Sequence, residues 1–202
     1  MMPLGHPEKP DADPTTQSDE QWMVAFAGGN TAAFAILFSR YKQPLFGFFR
    51  RRILSPASAE ELTQETFLVL LRTASTYQPE ALFRTYLYSI AFNILRTYRR
   101  KTAFRATFLG VAANHREPSA PSSLNDDLAI RQALAKLDSI DREILLLREF
   151  EQLAYAEIAT LLRLPLNTVR SRLFRARTAL REILSTAPKH LASLLQPFEE
   201  SL

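Results

Sequence analysis

Two stretches of this chain carry arginine and lysine with no acid among them. From 81 to 116 there is no Asp or Glu, while Arg84, Arg96, Arg99, Arg100, Lys101, Arg105 and Arg116 are basic; from 163 to 181 the same holds, with Arg163, Arg170, Arg172, Arg175, Arg177 and Arg181. Guanidinium groups suit phosphates and guanine edges, because their planar donors match both geometries. An ordinary soluble helix face mixes signs, which supports the helix and avoids self-repulsion. Acids gather elsewhere, at Glu60, Glu61 and Glu65 and between Asp126 and Glu157. The separation predicts two polyanion-facing surfaces and different faces for other contacts. Other chemistry finds little support. With no cysteine, a thiol nucleophile, a disulfide scaffold and a Cys-ligated metal are excluded. The three histidines, His6, His115 and His190, lack metal-site spacing, and the five glycines form no phosphate-cradling loop. No G-x-S-x-G elbow occurs. No catalytic residue, metal or cofactor is expected.

The elements that must position these arginines read as helices throughout. The chain has 202 residues, 47% of them apolar, and a net charge of +4; at ~150 residues per domain that allows one domain or two small ones. Residues 1–18 hold four prolines and read as a disordered tail with no secretory signal. The longest apolar run, Ala32–Phe38, is far short of the ~18 residues a membrane span needs, so a cytoplasmic protein without membrane insertion is expected. Helices are expected at about 19–27, 30–52, 58–75 and 82–103, then at about 126–137, 139–151, 154–162 and 166–185. Pro44 should kink or interrupt the second. Ser58 followed by Glu61 reads as a capping box that starts the third. Residues 104–125, with Gly110, Pro118 and Pro121, read as a linker, and 186–202 as a tail. The expected architecture is all-α: one helical domain over 19–103 and a second over 126–185, joined by a flexible tether.

Within the second domain, Ala154, Ile158, Leu161 and Leu162 fall on one side of a helix. After a turn at Arg163–Pro165, Val169, Leu173, Ala176 and Leu180 make a narrow stripe on the next, at about 100° per residue. Two amphipathic helices joined by so short a turn form a helix-turn-helix. Opposite the second stripe lie Ser171, Phe174, Arg175, Thr178 and Arg181, with Arg170 beside them, and the helix start offers free N–H groups to a phosphate. Phe174 is expected to pack on a neighbouring helix or on the tail rather than to meet a thymine methyl. On the 82–103 helix, Leu87, Ile90, Ala91, Ile94 and Tyr98 share one side. Thr85, Ser89, Phe92, Arg96, Arg99 and Arg100 share the other, flanked by Asn93, and Phe92 is expected to be exposed. Aromatics interleaved with arginine suit a strand whose bases must be unstacked. Tyr77 and Tyr86 are equally consistent with core or boundary aromatics. Glu61, Gln64 and Glu65, on one helix, read by themselves as a solvated face. From the residues alone, a dimeric helix-turn-helix regulator and a helical adaptor that never touches DNA stay open, although the first leaves 58–101 unexplained.

Longer motifs narrow this. LDSIDRE over 137–143, YAEIA over 155–159 and PLNTVRSRL over 165–173 resemble region 4 of bacterial RNA polymerase sigma factors of the extracytoplasmic-function (ECF) type in the sigma-70 family. SAEELTQETF over 58–67 and FRTYLYSIAFNIL over 83–95 resemble region 2 of the same family. The likeness covers about 19–101 and 126–185, in the family's order. Departures are Ser58 for the usual Asp, Tyr86 for Trp, Phe92 for Arg, Asp138 for Pro and Asn167 for Gly. The resemblance implies a region 2 bundle and a region 4 helix-turn-helix that bind core RNA polymerase and promoter DNA, with an anti-sigma factor as a further partner in many members. It implies contacts to the −35 element from Asn167, Thr168, Arg170, Ser171, Arg172, Arg175 and Thr178. It implies recognition and melting of the −10 element by Tyr77, Arg84, Tyr86, Ser89, Phe92, Asn93, Arg96, Arg99 and Arg100, with the loop before that helix cradling a flipped base. It implies docking of polymerase on Glu61, Gln64, Glu65 and Phe67.

Overall fold

The computed structural model describes residues 17–109 and 132–185. Among these the chain is helical, with no strand, and no helix is long and apolar enough to cross a membrane. The expectations for the N-terminal tail up to residue 16, for most of the linker and for the C-terminal tail lie outside the described residues.

The first lobe is built from α1 (Asp19–Ala27), α2 (Thr31–Arg50), α3 (Pro56–Thr73), a single 3-10 turn (Ala74–Thr76) and α4 (Phe83–Leu109). Ser18 and Gln21 cap α1 reciprocally, and Asn30 caps α2 through the amides of Ala32 and Ala33. On α2 the buried positions Ala33, Leu37, Tyr41, Leu45, Phe48 and Phe49 recur every three or four residues, so one stripe meets α1, α3 and α4. Glu20 binds the lobe together from α1: its Oε1 accepts the Phe83 amide at 2.7 Å, capping the first turn of α4 from across the bundle. Burial pushes the Glu20 carboxyl up, but the bonds from Phe83, from its own amide and from Ser18 outweigh that and hold it below the usual carboxylate range.

Three local expectations are corrected. Ser55, not Ser58, caps α3: its side chain accepts the Ser58 amide at 3.2 Å and Pro56 takes the first helical position, where a missing N–H costs nothing. The proline therefore starts the helix two residues earlier than the capping-box reading. Pro44 does not interrupt α2. It sits on the exposed side, where water can satisfy the carbonyl it leaves unpaired. Lastly, α4 runs to Leu109, past the expected end at 103, because no breaker precedes Gly110.

The second lobe comprises a helical turn at 132–135, then α5 (Ser139–Glu149), α6 (Tyr155–Leu162) and α7 (Leu166–Ser185). Asp138 caps α5 through the amides of Ile140 and Asp141. The α6–α7 turn hinges on Arg163, in the left-handed region at φ 56°. The Leu164 amide bonds back to the Ala159 carbonyl at 2.9 Å, which closes α6. Val169, Leu173, Ala176, Leu180 and Leu184 are the buried stripe of α7, in the expected register. On α6 only Ile158 is buried; Leu161 and Leu162 are half-buried and Ala154 is exposed. The most extensive contact in this lobe is thus between α5 and α7, with α6 lying against both.

Two outcomes test this account. Ser55→Ala should lower the stability of the first lobe by ~1 kcal/mol in urea unfolding, while Ser58→Ala stays within ~0.5 kcal/mol of the parent. Glu20→Gln should destabilise at neutral pH. Because the folded carboxyl titrates below its unfolded value, the gap between parent and variant is full above the ordinary carboxylate range and closes as pH falls through the lowered folded value.

Candidate nucleic-acid interface

Each arginine of α7 is placed by whether a carboxylate lies within reach. Arg177 lies against α5: its Nε and Nη2 donate to Glu149 Oε1 at 2.9 and 2.6 Å. Arg172 donates to Asp141 Oδ1 at 2.7 Å and lies 3.4 Å from Asp138 Oδ1. Arg172 therefore braces α7 on the start of α5 and is removed from the set of free DNA-facing groups. The sequence pattern groups it with its neighbours because acid 31 and 34 residues upstream is invisible to helical spacing. Arg170 and Arg175 are exposed, with no acidic partner among the described residues. Asn167 and Ser171 are exposed on the same helix; Thr168, Thr178 and Arg181 are half-buried. Ser171 and Thr178 donate to the carbonyls of Thr168 and Phe174, yet their hydroxyls keep lone pairs for a ligand. Phe174 is 62% exposed, which corrects the expectation that it packs on a neighbouring helix; the tail lies outside the described residues.

On α4 the picture is mixed. Asn93, Arg96, Thr97, Arg99 and Arg100 line one shallow recess. Arg96 and Arg100 are exposed without an ion-pair partner among the described residues. Arg99 lies 3.6 Å from Glu143 Oε2 of the second lobe. Phe92 is not exposed: it is 8% accessible, a correction to the two-faced reading of this helix. Tyr88, Phe92 and Leu95 form a second row beside Leu87, Ala91 and Ile94, so the buried arc of α4 is wider than one stripe. Tyr77 and Tyr86 are boundary aromatics, with ring centroids 5.1 Å apart. The Tyr86 hydroxyl lies 2.8 Å from Thr73 Oγ1, whereas the Tyr77 hydroxyl is buried without a protein partner. Burial, with the nearby Glu20 carboxylate, pushes Tyr77 up to about 12. Ser89 donates to the Tyr86 carbonyl, Thr85 to Glu157 of the second lobe, and Arg84 is half-buried.

Glu61, Gln64 and Glu65 are exposed on α3. Phe67 is 4% accessible and packs on Phe38 at 4.7 Å and Phe34 at 6.1 Å, so it supports that surface from beneath and is corrected as a direct contact. Beside it, Phe38, Lys42, Phe46, Glu60 and Gln64 line a groove between α2 and α3. Phe38 and Lys42 are therefore surface residues that sequence reading missed. Their spacing of four was legible, but not the partner helix that turns it into a wall.

The sequence also leaves unmarked a cluster between the lobes. The Arg52 side chain is fully shielded; its Nε donates to Glu143 Oε1 at 2.6 Å and its Nη1 to Glu151 Oε1 at 3.0 Å. Arg51 Nη2 reaches the same Glu151 oxygen at 3.0 Å, and its guanidinium stands 4.5 Å over the Phe150 ring. The two carboxylates hold Arg52 charged against the cost of burial.

Two helical lobes, one a helix-turn-helix and each with exposed arginines, have the architecture of a helical nucleic-acid-binding protein. The family models for Sigma-70 region 2 and for Sigma-70, region 4, match residues 37–105 and 127–180. The chain is 31% identical over 184 residues to the RNA polymerase sigma-H factor of Pseudomonas aeruginosa, covering 84% of this chain and 95% of that one. It is 30% identical over 174 residues to the ECF RNA polymerase sigma-E factor of Haemophilus influenzae, covering 79% and 92%. A solved structure of CnrH in complex with the cytosolic domain of CnrY shares the fold, with a TM-score of 0.67 at 24% identity over 85% of this chain and 100% of that one. The sigma factor RpoE, solved in complex with the anti-sigma factor NepR from Bartonella quintana, shares it at a TM-score of 0.63 and 22% identity, over 77% and 98%. The chain belongs to the sigma-70 family of RNA polymerase sigma factors, among those of ECF type, and its function is that of a sigma factor in transcription initiation.

The division among α7 arginines has a direct test. Arg177→Ala should lower the stability of the second lobe by ~1–3 kcal/mol, since it strands the half-covered Glu149. Arg175→Ala should leave the urea midpoint unchanged.

Proposed function

We propose that α7 reads the −35 element in the major groove through Arg170 and Arg175, with Asn167, Thr168, Ser171 and Thr178 alongside. In this reading α4 holds the opened −10 strand on Asn93, Arg96, Arg99 and Arg100. Arg84, Ser89 and the Tyr77–Tyr86 pair flank the loop that receives an unstacked base. Glu61, Gln64 and Glu65, with the α2–α3 groove around Phe38 and Lys42, meet the core polymerase. Residues 19–103 and 126–185 act as separate recognition units, and the segment between them spans the distance from −10 to −35. The protein works in the cytoplasm and catalyses no covalent step; strand opening draws on binding free energy and on the polymerase. Relatives of this fold solved with an anti-sigma factor support an inhibitor protein as a further partner.

The observation that carries this reading is the pair of arginine sets, Arg96 with Arg100 and Arg170 with Arg175, left exposed and without an acidic partner among the described residues, on different lobes of a sigma-70 family member. An unpaired arginine face is a standing electrostatic attraction for phosphate, and its salt dependence is the signature. Purified protein, core polymerase and a promoter library should yield sequence-specific transcripts. Arg170→Ala or Arg175→Ala should weaken promoter binding by ~1–3 kcal/mol and relax discrimination at −35 positions where the contact is to a base. A loss uniform across sequences marks a phosphate contact instead. Tight two-fold operator binding without polymerase, and no specific initiation, would overturn the reading in favour of a dimeric regulator.

A further inference from the structure

Beside the end of α2, side chains of α2, α4 and α5 enclose a cavity of about 180 Å³. Arginines make most of its wall: Arg50, Arg51 and Arg52 from the end of α2 and just beyond it, Arg99 from α4 and Arg142 from α5. Leu134 and Leu146, both buried, add apolar wall, so charges here interact more strongly than they would in water. Glu143 is the single acid of the lining among the described residues.

Charge in this wall does not balance. Arg51 and Arg52 share Glu151, and Arg52 and Arg99 share Glu143. Arg142 has no acidic partner among the described residues. Arg50 donates to the Leu54 carbonyl and stays out of the count. The other four guanidiniums face two carboxylates, which leaves two positive charges over. Donors are left over as well. Arg51 Nε and Arg52 Nη2 are buried without an acceptor among the described residues, and the Arg52 side chain is wholly inaccessible. Folded proteins rarely leave such donors unspent, and a bound ion or water is a usual acceptor. The helix dipole accounts for part of the cluster, since cations are favoured at the end of α2. It does not account for Arg142, which stands near the start of α5, where a cation is disfavoured.

We propose that this cavity binds a small phosphate-type anion, of one or two phosphoryl groups, on the guanidiniums of Arg51, Arg99 and Arg142. Planar guanidinium donors match phosphoryl oxygens in pairs. A phosphoryl group carries about −1.5 to −2 at pH 7, which meets the surplus of two; a single carboxylate would meet half of it. Size sets the rest of the class. Pockets for drug-sized ligands run to ~300–1,000 Å³, so the cavity takes inorganic phosphate or pyrophosphate and not a whole nucleotide. The site goes beyond the promoter reading and does not depend on it; Arg99 is the residue the two have in common.

Isothermal titration calorimetry of the full chain with inorganic phosphate and, separately, with pyrophosphate tests this. Ionic strength is held constant with chloride, so that screening is the same throughout. The parent should bind one equivalent saturably. Arg142→Gln should weaken binding ~10-fold or more while far-UV helicity and the urea midpoint are kept, because Arg142 has no internal partner to lose. Arg51→Gln should weaken it likewise from the other lobe, and serves if Arg142→Gln does not fold. Arg175→Gln, on the outer face of α7, should bind as the parent does. Saturable binding of either anion with this pattern supports the site, and the ratio of the two affinities tells whether one phosphoryl group or two is held. No saturable binding of either anion, or unchanged affinity in Arg142→Gln, overturns it. So does an equal loss in Arg175→Gln, which marks a general attraction of anions to arginine.

Discussion

A guanidinium leaves water only where a carboxylate or a comparable set of acceptors meets it, because the cost of burying it alone is several kcal/mol. That constraint sorts the arginines of this protein and, through them, its surfaces. Arg52 is buried since Glu143 and Glu151 converge on it. Arg177 lies flat on α5 since Glu149 takes two of its donors. Arg172 turns toward Asp138 and Asp141. Arg96, Arg100, Arg170 and Arg175 have no such acid within reach among the described residues and stay exposed. These exposed cations are in this sense a remainder: they are the ones that pairing among the described residues does not use.

The same pairing links folding to recognition in the second lobe. Asp138 accepts two amides at the start of α5 and also faces Arg172 on α7. The residue that begins one helix thereby helps to fix the rotation of α7, the helix proposed to read DNA. Arg170 and Arg175, each two residues before a braced arginine, lie about 160° around α7 from it. In the first lobe, Glu20 does comparable work, tying α1 to the first amide of α4 and so setting where the arginine-bearing turns of α4 begin. In both lobes an acid at a helix start holds the arginine-bearing helix, α4 or α7, through a hydrogen bond. The apolar stripe beneath supplies most of the stabilisation but little of the angular precision.

Errors in reading the site from sequence share a cause. Angular count places Phe92 opposite the Leu87 stripe, yet the second buried row of Tyr88, Phe92 and Leu95 reaches round to it, because α1, α2 and α3 all pack against α4. Phe67 stands next to a surface of charged and amide groups in sequence, but Phe34 and Phe38 from α2 close over it. Arg172 lies between two free arginines in the chain and is taken by acids from another helix. Ser58 has the spacing of a capping residue, and Pro56 preempts it by starting the helix earlier. For Phe92, Phe67 and Arg172 the local pattern is sound and a contact distant in sequence decides the outcome; for Ser58 a neighbouring proline does.

Periodicity, the spacing of breakers and the two acid-free blocks are local properties, and they alone determine that the described residues are helical, that they form a helix-turn-helix with Val169, Leu173, Ala176 and Leu180 inward, and that basic residues gather in two separate blocks. Motifs over 58–95 and 137–173 add the family, since residue order along a chain needs no coordinates to be matched. The tertiary structure decides which arginines are free, how wide the buried arc of α4 is, and that Arg51 and Arg52 meet Glu143 and Glu151 between the lobes. Those outcomes depend on contacts between different helices, with ion pairs 28 to 100 positions apart along the chain, and no periodicity within a single helix carries information about a partner that the fold brings from elsewhere.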